Sequence, residues 1–293
     1  MTSDAVEIYR SGRLPDCKER AFVLLAVGVE SELVRDGEEC VLYVEPGSVH
    51  EALGQLALYE QERRPRPSPP PPPRLHSRAW VGCVVYCAVL LGVAYGVGGG
   101  VMRLDAFEVG ELHAARVQSG EWWRALTALT LHLDPAHIAA NLGAGTWFGY
   151  LCGRLLGPGT SWMLIVAGAG AANLLEGLLA NPAHRAAGAS TAVFSALGLM
   201  AAYSWRERRS LQQHWAARLS PLVAGIVLLG WTGSEGEHTD VFAHLAGFAI
   251  GAALGASIAV PRLRRALNRV PQWLAGALAL GSLAAAWACG LKS

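Results

Sequence analysis

Two segments that lie far apart in the sequence carry side chains that could together hydrolyse a peptide bond. Ser190 stands in Gly188-Ala189-Ser190-Thr191 at the start of one apolar run, and His244 stands near the start of another. A serine that a neighbouring histidine can deprotonate becomes a nucleophile. Polar side chains at membrane depth are costly and usually serve a purpose. The pair therefore predicts a nucleophilic serine site inside a membrane.

The apolar runs that must position Ser190 and His244 are long enough to be membrane spans. Hydrophobic residues make up 52% of the 293-residue chain and charged residues only 16%, whereas soluble domains carry about a quarter charged residues. We therefore predict an all-α polytopic protein surrounded by a lipid bilayer, in which Ser190 opens the fourth span and His244 lies in the sixth. The predicted spans are roughly 80–98, 136–153, 161–180, 190–205, 219–231, 241–260 and 273–289.

Three arginine clusters predict the orientation of these spans. They precede the first span, separate the fourth from the fifth, and follow the sixth. Their members are Arg63, Arg64, Arg66, Arg74 and Arg78; Arg206, Arg208, Arg209 and Arg218; Arg262, Arg264, Arg265 and Arg269. Positive clusters favour the cytoplasmic side. We therefore predict a cytoplasmic amino-terminal domain, with Ser190 and His244 together toward the outer face.

The residues outside the spans predict a small α+β domain and a linker. We assign 1–64 to a soluble cytoplasmic domain, 65–78 to a proline-rich linker, 79–260 to a six-helix core and 261–293 to a basic loop and a seventh helix. Within the first domain, the apolar runs 21–29 and 40–44 predict two strands. A capping-box pattern from Ser48 to Glu51 predicts a helix that ends near Arg63. Residues 1–20 lack an apolar core, so we expect no cleavable signal peptide.

Small residues predict that the fourth and sixth spans are neighbours. Both spans carry a face of small residues: Gly247, Gly251 and Gly255 after His244, and Gly198, Ala201 and Ala202 after Ser190. Such faces let helix backbones approach closely, which would bring the serine and the histidine together. A second Gly-Ala-Ser, ending at Ser257, lies near the cytoplasmic end of the sixth span, where simple helix packing explains it.

Other polar residues could stabilise the oxyanion of a reaction at Ser190 or could bind a metal instead. A nucleophilic serine requires donors to the developing oxyanion, and the Ser190 N–H, His137 and Asn141 are candidates because the last two are four apart on one helix face. His132 and His137 could instead bind a metal, but no HExxH motif accompanies them, and we expect neither metal nor cofactor. The pair Trp123-Arg124 could anchor the first outer loop, with the arginine among lipid headgroups.

Four motifs together resemble those of the rhomboid family of intramembrane serine proteases, over residues 80–260. They are Trp123-Arg124, His137 with Asn141, Gly188-Ala189-Ser190, and Ala243-His244 with Gly247. The resemblance implies a six-helix catalytic core and a Ser190–His244 dyad without a third member. It also implies an oxyanion site of Ser190 N–H, His137 and Asn141, and cleavage of transmembrane protein substrates near their outer ends.

Outside these four motifs, one residue agrees with the family pattern and other features differ from it. Phe194 stands where the family keeps an aromatic residue near the catalytic histidine. Thr191 replaces the small residue that commonly follows the serine, which predicts a crowded site or an altered substrate choice. Ala172-Asn173 stands where Gly-Asn is usual, and the seventh span lies outside the six-helix core.

Two other function classes remain open from the sequence. One is a catalytically inactive rhomboid-like protein that binds or escorts membrane clients, although the presence of both Ser190 and His244 favours the protease. The other is a small transporter, for which inverted repeats and broken helices would be typical; neither is evident. The net charge of +1 gives no reason to expect nucleic acid as a partner. The oligomeric state is left open.

Overall fold

The computed structural model describes residues 5–63, 75–98, 106–208, 216, 219–220, 223–227 and 240–293. The chain divides into two compact units, Met1–Pro71 and Pro72–Ser293. The first unit contains an antiparallel three-stranded sheet in the order β1-β3-β2. Its elements are β1 (Val6–Ser11), α1 (Leu14–Ala26), β2 (Ser31–Asp36), β3 (Glu39–Val44), a 3₁₀ turn (Pro46–Ser48) and α2 (Val49–Arg63).

One predicted strand of this unit is wrong, because residues 21–26 complete the helix α1. Cys17, Arg20 and Leu24 are buried, and their spacing of three and four residues is that of one helix face. A short apolar run cannot be assigned to a strand or a helix by periodicity alone. The strand predicted at 40–44 and the helix predicted to end near Arg63 are both confirmed by β3 and α2.

The described part of the second unit is almost entirely helical. Its long helices match six of the seven predicted spans to within a few residues, and of the fifth, 219–231, only 219–220 and 223–227 are described. The elements are α3 (Ala79–Gly98), α4 (Ala106–Gly110), β4 (Leu112–His113), α5 (Ala114–Gln118), α6 (Arg124–Thr127), a 3₁₀ turn (Ala128–Thr130), α7 (Pro135–Leu156), α8 (Pro158–Leu179), β5 (Arg185–Ala186), α9 (Ser190–Arg208), α10 (Val241–Ile258), α11 (Pro261–Leu267) and α12 (Gln272–Gly290).

Within the described residues, four helices are long and apolar enough to cross a membrane: Trp80–Val97, Pro158–Leu179, Val241–Ile258 and Gln272–Gly290. The helices α7 and α9 have similar lengths of 22 and 19 residues. They carry more polar side chains, such as Asn141 and Arg154 on α7 and Arg206 and Glu207 on α9. These polar side chains lower the mean hydropathy of α7 and α9, which is why the two helices fall outside the group of four.

Helices α9 and α10 pack backbone against backbone, as their small residues predict. A Cβ atom added at Gly251 would lie 2.8 Å from the carbonyl carbon of Ser195 and closer still to its oxygen. A Cβ atom at Gly198 would lie 2.9 Å from the backbone nitrogen of Ala252. Neither neighbour is a flexible side chain that could move aside, so the two helices can lie this close only with glycine at both positions.

We expect Gly251→Ala to destabilise the protein, because the new methyl group must push α10 away from α9. Forcing an extra methyl group into a packed interior typically costs about 1–3 kcal/mol. The unfolding temperature of the purified protein in detergent should therefore fall. Gly143→Ala on α7 is the matched control, because a Cβ atom there meets nothing within 4 Å. Equal unfolding temperatures for the two variants would contradict the close packing.

The predicted seventh helix, α12, is joined to the core by polar contacts at both of its ends. The Gln272 side-chain oxygen accepts hydrogen bonds from the N–H groups of Gly159 and Thr160, at 2.9 and 3.1 Å. It thereby satisfies free donors at the start of α8. Near the other end, Trp287 Nε1 donates to Thr130 Oγ1 at 3.1 Å. The helix thus stabilises both α8 and the turn that precedes α7.

Candidate active site

A cavity of about 1030 Å³ lies among the helices α7, α8, α9 and α10. Ser190 and His244 both line it, as do the predicted oxyanion residues His137 and Asn141. Glu176, His184 and Asp240 line the same cavity. The structure therefore brings side chains from distant parts of the sequence to one cavity.

Ser190 is the first residue of α9, and the segment before it has an unusual backbone. Gly188 has φ +150°, a conformation that residues with a side chain rarely adopt. Its N–H donates to the Ala128 oxygen at 2.9 Å. A Cβ atom at Gly188 would lie 2.7 Å from Cε1 of His137 and 3.7 Å from the Ser190 hydroxyl oxygen. Glycine is thus required for His137 to approach the backbone beside the serine.

His244 lies in the first turn of α10, and Asp240 caps that turn. The Asp240 Oδ1 atom accepts a hydrogen bond from the Ala243 N–H at 3.0 Å, the usual way to satisfy a free donor at a helix start. His244 is 6% exposed, and its ring lies 4.3 Å, centroid to centroid, from the Phe194 ring. The predicted aromatic neighbour of the histidine therefore packs directly on it.

Gly247 brings the start of α10 against the start of α9. A Cβ atom at Gly247 would lie 2.7 Å from the carbonyl oxygen of Thr191, the residue that follows Ser190. Since Gly247 is less than one turn beyond His244, the serine and the histidine occupy the same level of the helix pair. Thr191 is 3% exposed, and its backbone takes part in this packing.

Asn141 presents an unsatisfied donor to the cavity. The residue is 6% exposed, and among the described residues no acceptor lies within hydrogen-bond range of its Nδ2 atom. The Tyr86 hydroxyl holds this turn of α7 by donating to the Asn141 backbone oxygen at 2.7 Å. A buried donor without a partner costs free energy, which a substrate oxygen in the cavity would recover.

His132 supports the segment before the serine rather than contributing to the cavity lining. The Ala189 N–H donates to His132 Nε2 at 3.4 Å, and the His132 and His137 rings lie 5.1 Å apart. Burial, and next the neighbouring His137, lower the pKa of His132 to about 4. His132 is therefore neutral at neutral pH, and its Nε2 atom can accept the Ala189 hydrogen bond.

The prediction that Arg124 lies among lipid headgroups beside Trp123 is wrong. Arg124 is 1% exposed and donates to the carbonyl oxygens of Glu108 and Glu111, each at 2.9 Å. It also bonds the Glu121 carboxylate at 2.6 Å. A guanidinium group carries five donors in a fixed fork, so it can join several loop segments at once. Arg124 therefore organises the first loop from inside.

The same loop is joined to α8 and to the segment that leads to Ser190. Asn173 belongs to the pair Ala172-Asn173, which stands where Gly-Asn is usual in the family. Its Nδ2 atom donates a hydrogen bond to the Ala125 oxygen at 3.0 Å. The short strands β4 and β5 pair antiparallel, with Leu112 opposite Ala186. The loop thus fixes the approach to the nucleophilic serine through backbone and side-chain contacts.

Sequence reasoning missed a group of three side chains, Glu176, His184 and Asp240, that meet at one end of the cavity. They come from the last turn of α8, the turn before β5 and the cap of α10. In the sequence, Glu176 is an acidic residue inside an apolar span and Asp240 precedes the span of His244, but nothing in their spacing links them to His184. The group depends on how three elements meet, which spacing along the chain does not reveal.

Comparison with known proteins finds relatives of the unit that holds this cavity. Residues 119–260 match the family model of the rhomboid domain. Rhomboid protease GluP of Bacillus subtilis (strain 168) is 30% identical over 171 residues, which are 57% of this chain and 32% of that protein. Rhomboid-like protease 2 of Toxoplasma gondii is 29% identical over 143 residues, which are 47% of this chain and 48% of that protein.

The matches cover only about a third and about half of the length of these two curated relatives. They nevertheless confirm the resemblance that the four motifs indicate. Together with the apolar helices, they identify a multi-pass integral membrane protein.

Proposed function

We propose that the chain, whose residues 119–260 match the family model of the rhomboid domain, is an intramembrane serine endopeptidase that cleaves transmembrane segments of membrane-protein substrates. One observation carries the proposal: Ser190, His244 and the unsatisfied donor of Asn141 line one cavity between packed helices. A nucleophile, a base and an oxyanion donor are the parts that acyl transfer requires.

In the proposed mechanism, His244 first acts as a general base and then as a general acid. It takes the proton of the Ser190 hydroxyl as the serine oxygen bonds to the scissile carbonyl carbon. It then gives that proton to the amine that leaves when the C–N bond breaks. Water, activated by the same histidine, hydrolyses the acyl-enzyme and releases the second fragment. Phe194, packed on the imidazole ring, holds the ring in place.

The oxyanion of each tetrahedral intermediate would be stabilised by donors at the same level of the cavity. We assign this role to the Ser190 N–H, the Asn141 side chain and His137. The start of α9 adds the partial positive charge of a helix amino terminus. The close approach of His137 to Gly188 supports its inclusion, because it places the imidazole beside the segment that carries the nucleophile.

We further propose that the cavity faces the outer side of the membrane and that residues 1–64 are cytoplasmic. The basic residues gather at the opposite end of α9 and α10 from Ser190 and His244. There, Arg206 donates to the Ala256 oxygen at 3.1 Å and Arg264 pairs with Glu207 at 2.8 Å. The positive-inside rule assigns such an end to the cytoplasm.

The function is tested by reconstituting the purified protein in lipid vesicles with a single-span model substrate. We expect two fragments whose shared cleavage point, mapped by mass spectrometry, lies near the outer end of the substrate helix. An isocoumarin, which acylates nucleophilic serines, should stop the cleavage. Stable capture of the substrate without any cleavage across a panel of transmembrane sequences would contradict the protease and favour the inactive, client-binding alternative.

Deletion of residues 1–66 should leave peptide-bond hydrolysis in detergent largely intact. The first unit buries its own apolar residues, including Leu24, Val44 and Leu56, and every proposed catalytic residue lies in the second. The kcat of the truncated protein, measured on the same model substrate, checks this expectation. A truncation that folds normally but has lost all activity would show that the first unit helps to build the active site.

A further inference from the structure

Glu176, His184 and Asp240 place one nitrogen and two carboxylate oxygens within a very small volume. His184 Nε2 lies 3.1 Å from Glu176 Oε1 and 3.0 Å from Asp240 Oδ2. One ligand atom from each residue lies within 4.8 Å of the other two. The three side chains come from separate elements, so the group is a tertiary feature rather than a local turn.

The group has more acceptors than donors. His184 Nε2 lies within hydrogen-bond range of both carboxylates, and one Nε2–H can serve only one of them. Within the described part of the chain, Glu176 Oε2 and Asp240 Oδ2 are buried, no residue outside the group donates to either oxygen, and the two carboxyl groups face each other. Glu176 as a whole is 1% exposed. A buried carboxylate without compensation is costly, so further positive charge belongs here.

The nearest arginine in the sequence does not supply that charge. Arg185 directs its guanidinium to Glu111, with an N–O distance of 2.8 Å. Asp240 uses its other oxygen, Oδ1, for the helix cap at Ala243, which fixes the carboxylate and leaves Oδ2 directed at the group. Glu176 and His184 are likewise held, the first in α8 and the second by the bond from its N–H to the Asn181 oxygen at 2.8 Å.

We propose that Glu176, His184 and Asp240 bind one divalent transition-metal ion of the Zn²⁺ type at the edge of the cavity. This inference does not depend on the proposed protease activity. Imidazole with carboxylates is a donor set typical of Zn²⁺, whereas Ca²⁺ and Mg²⁺ prefer oxygen ligands alone. Two carboxylates would balance the charge of the ion.

The spacing of the three side chains suits such an ion. With bonds of about 2.0–2.2 Å, tetrahedral Zn²⁺ ligands lie about 3.4 Å from one another. The two nitrogen–oxygen distances of 3.0 and 3.1 Å therefore need to widen by only a few tenths of an ångström, and the two carboxylate oxygens, which lie within 4.8 Å of each other, need to reach the same spacing. The side chains of His184 and Asp240 are 30% and 19% exposed, which gives the ion a path from the cavity. Water in the cavity would supply the fourth ligand.

The test is Zn²⁺ binding by the purified full-length protein, freed of any affinity tag and stripped with a chelator. Equilibrium dialysis with elemental analysis should show one saturable Zn²⁺ per chain. Glu176→Gln and Asp240→Asn should each weaken binding by at least about 100-fold, as expected from the 10- to 100-fold effects of residues that only support metal ligands. Asparagine preserves the helix cap, so Asp240→Asn should remain folded.

Two controls separate the proposed site from other donors. Glu111→Gln removes a carboxylate that pairs with Arg185 and should leave Zn²⁺ binding unchanged. His132→Gln removes the histidine of the other candidate pair and should also leave it unchanged. Co²⁺ bound to the wild-type protein should give the visible absorption of a low-coordinate nitrogen–oxygen site, and His184→Gln should abolish that absorption.

Two results would overturn the proposal. One is a wild-type protein that shows no saturable Zn²⁺ binding and no Co²⁺ absorption. The other is a Zn²⁺ affinity that is equal in wild type, Glu176→Gln and His184→Gln. Either result would mean that a proton shared by Glu176 and Asp240, and not a metal ion, balances the negative charge of the two carboxylates.

Discussion

Ser190→Ala and His244→Ala are each expected to abolish substrate cleavage while the protein remains folded and membrane-inserted. Alanine at 190 removes the only oxygen that can form the acyl-enzyme, and alanine at 244 removes the base that activates it. Loss of either member of such a unit lowers kcat by roughly 10⁶-fold in a soluble serine protease. The measurement is the initial rate of cleavage of the single-span model substrate in vesicles, with the unfolding temperature as a check of folding.

Ser257→Ala is the matched control for the serine variant. Ser257 also follows Gly-Ala, but its hydroxyl donates to the Ala253 oxygen at 2.7 Å, and it lies at the opposite end of α10 from His244. We expect wild-type cleavage from this variant. Inactivation by Ser257→Ala together with activity in Ser190→Ala would show that the nucleophile has been assigned to the wrong serine.

Asn141→Ala is expected to lower kcat by about 10²- to 10³-fold, the usual cost of removing one oxyanion donor. The Asn141 Nδ2 atom is buried without an acceptor among the described residues, so its hydrogen bond should form only when a substrate oxygen arrives. Because His137 serves the same oxyanion in our mechanism, the double variant of Asn141 and His137 should lose less than the sum of the two single effects.

Thr146→Ala is the control for this prediction. Thr146 is a polar residue of the same helix, but its hydroxyl contacts the Cys87 sulfur at 3.4 Å instead of the cavity. Its kcat should stay close to that of wild type. Wild-type turnover in Asn141→Ala would remove Asn141 from the mechanism and leave it as a residue that only packs between helices.

The sequence predicted most of what depends on local patterns. Long apolar runs fix the helices to within a few residues, because a span needs about 20 apolar residues. Glycines spaced four apart on α10 predicted its packing on α9, because the spacing places them on one helix face. The predicted neighbourhood of Phe194 and His244 agrees with the 4.3 Å between their rings, although their catalytic roles remain proposals.

Features that depend on tertiary contacts were not predictable in the same way. The buried position of Arg124 arises from carbonyl oxygens of a folded loop, and nothing in Trp123-Arg124 distinguishes that from an arginine at the headgroups. The group of Glu176, His184 and Asp240 requires three elements to meet. The apolar run 21–29 predicts a strand, yet residues 21–26 complete α1, because a short apolar run satisfies both patterns when its tertiary partners are unknown.

Covalent labelling with a fluorophosphonate tests the Ser190–His244 pair most directly, because the probe reacts with serines that are activated as nucleophiles. In the purified wild-type protein, we expect one modified serine, identified as Ser190 by peptide mapping. Ser190→Ala should take up no label, and His244→Ala should react far more slowly. Equal labelling of wild type and Ser190→Ala, or a wild-type protein that cleaves substrate but never labels at Ser190, would contradict the proposed dyad.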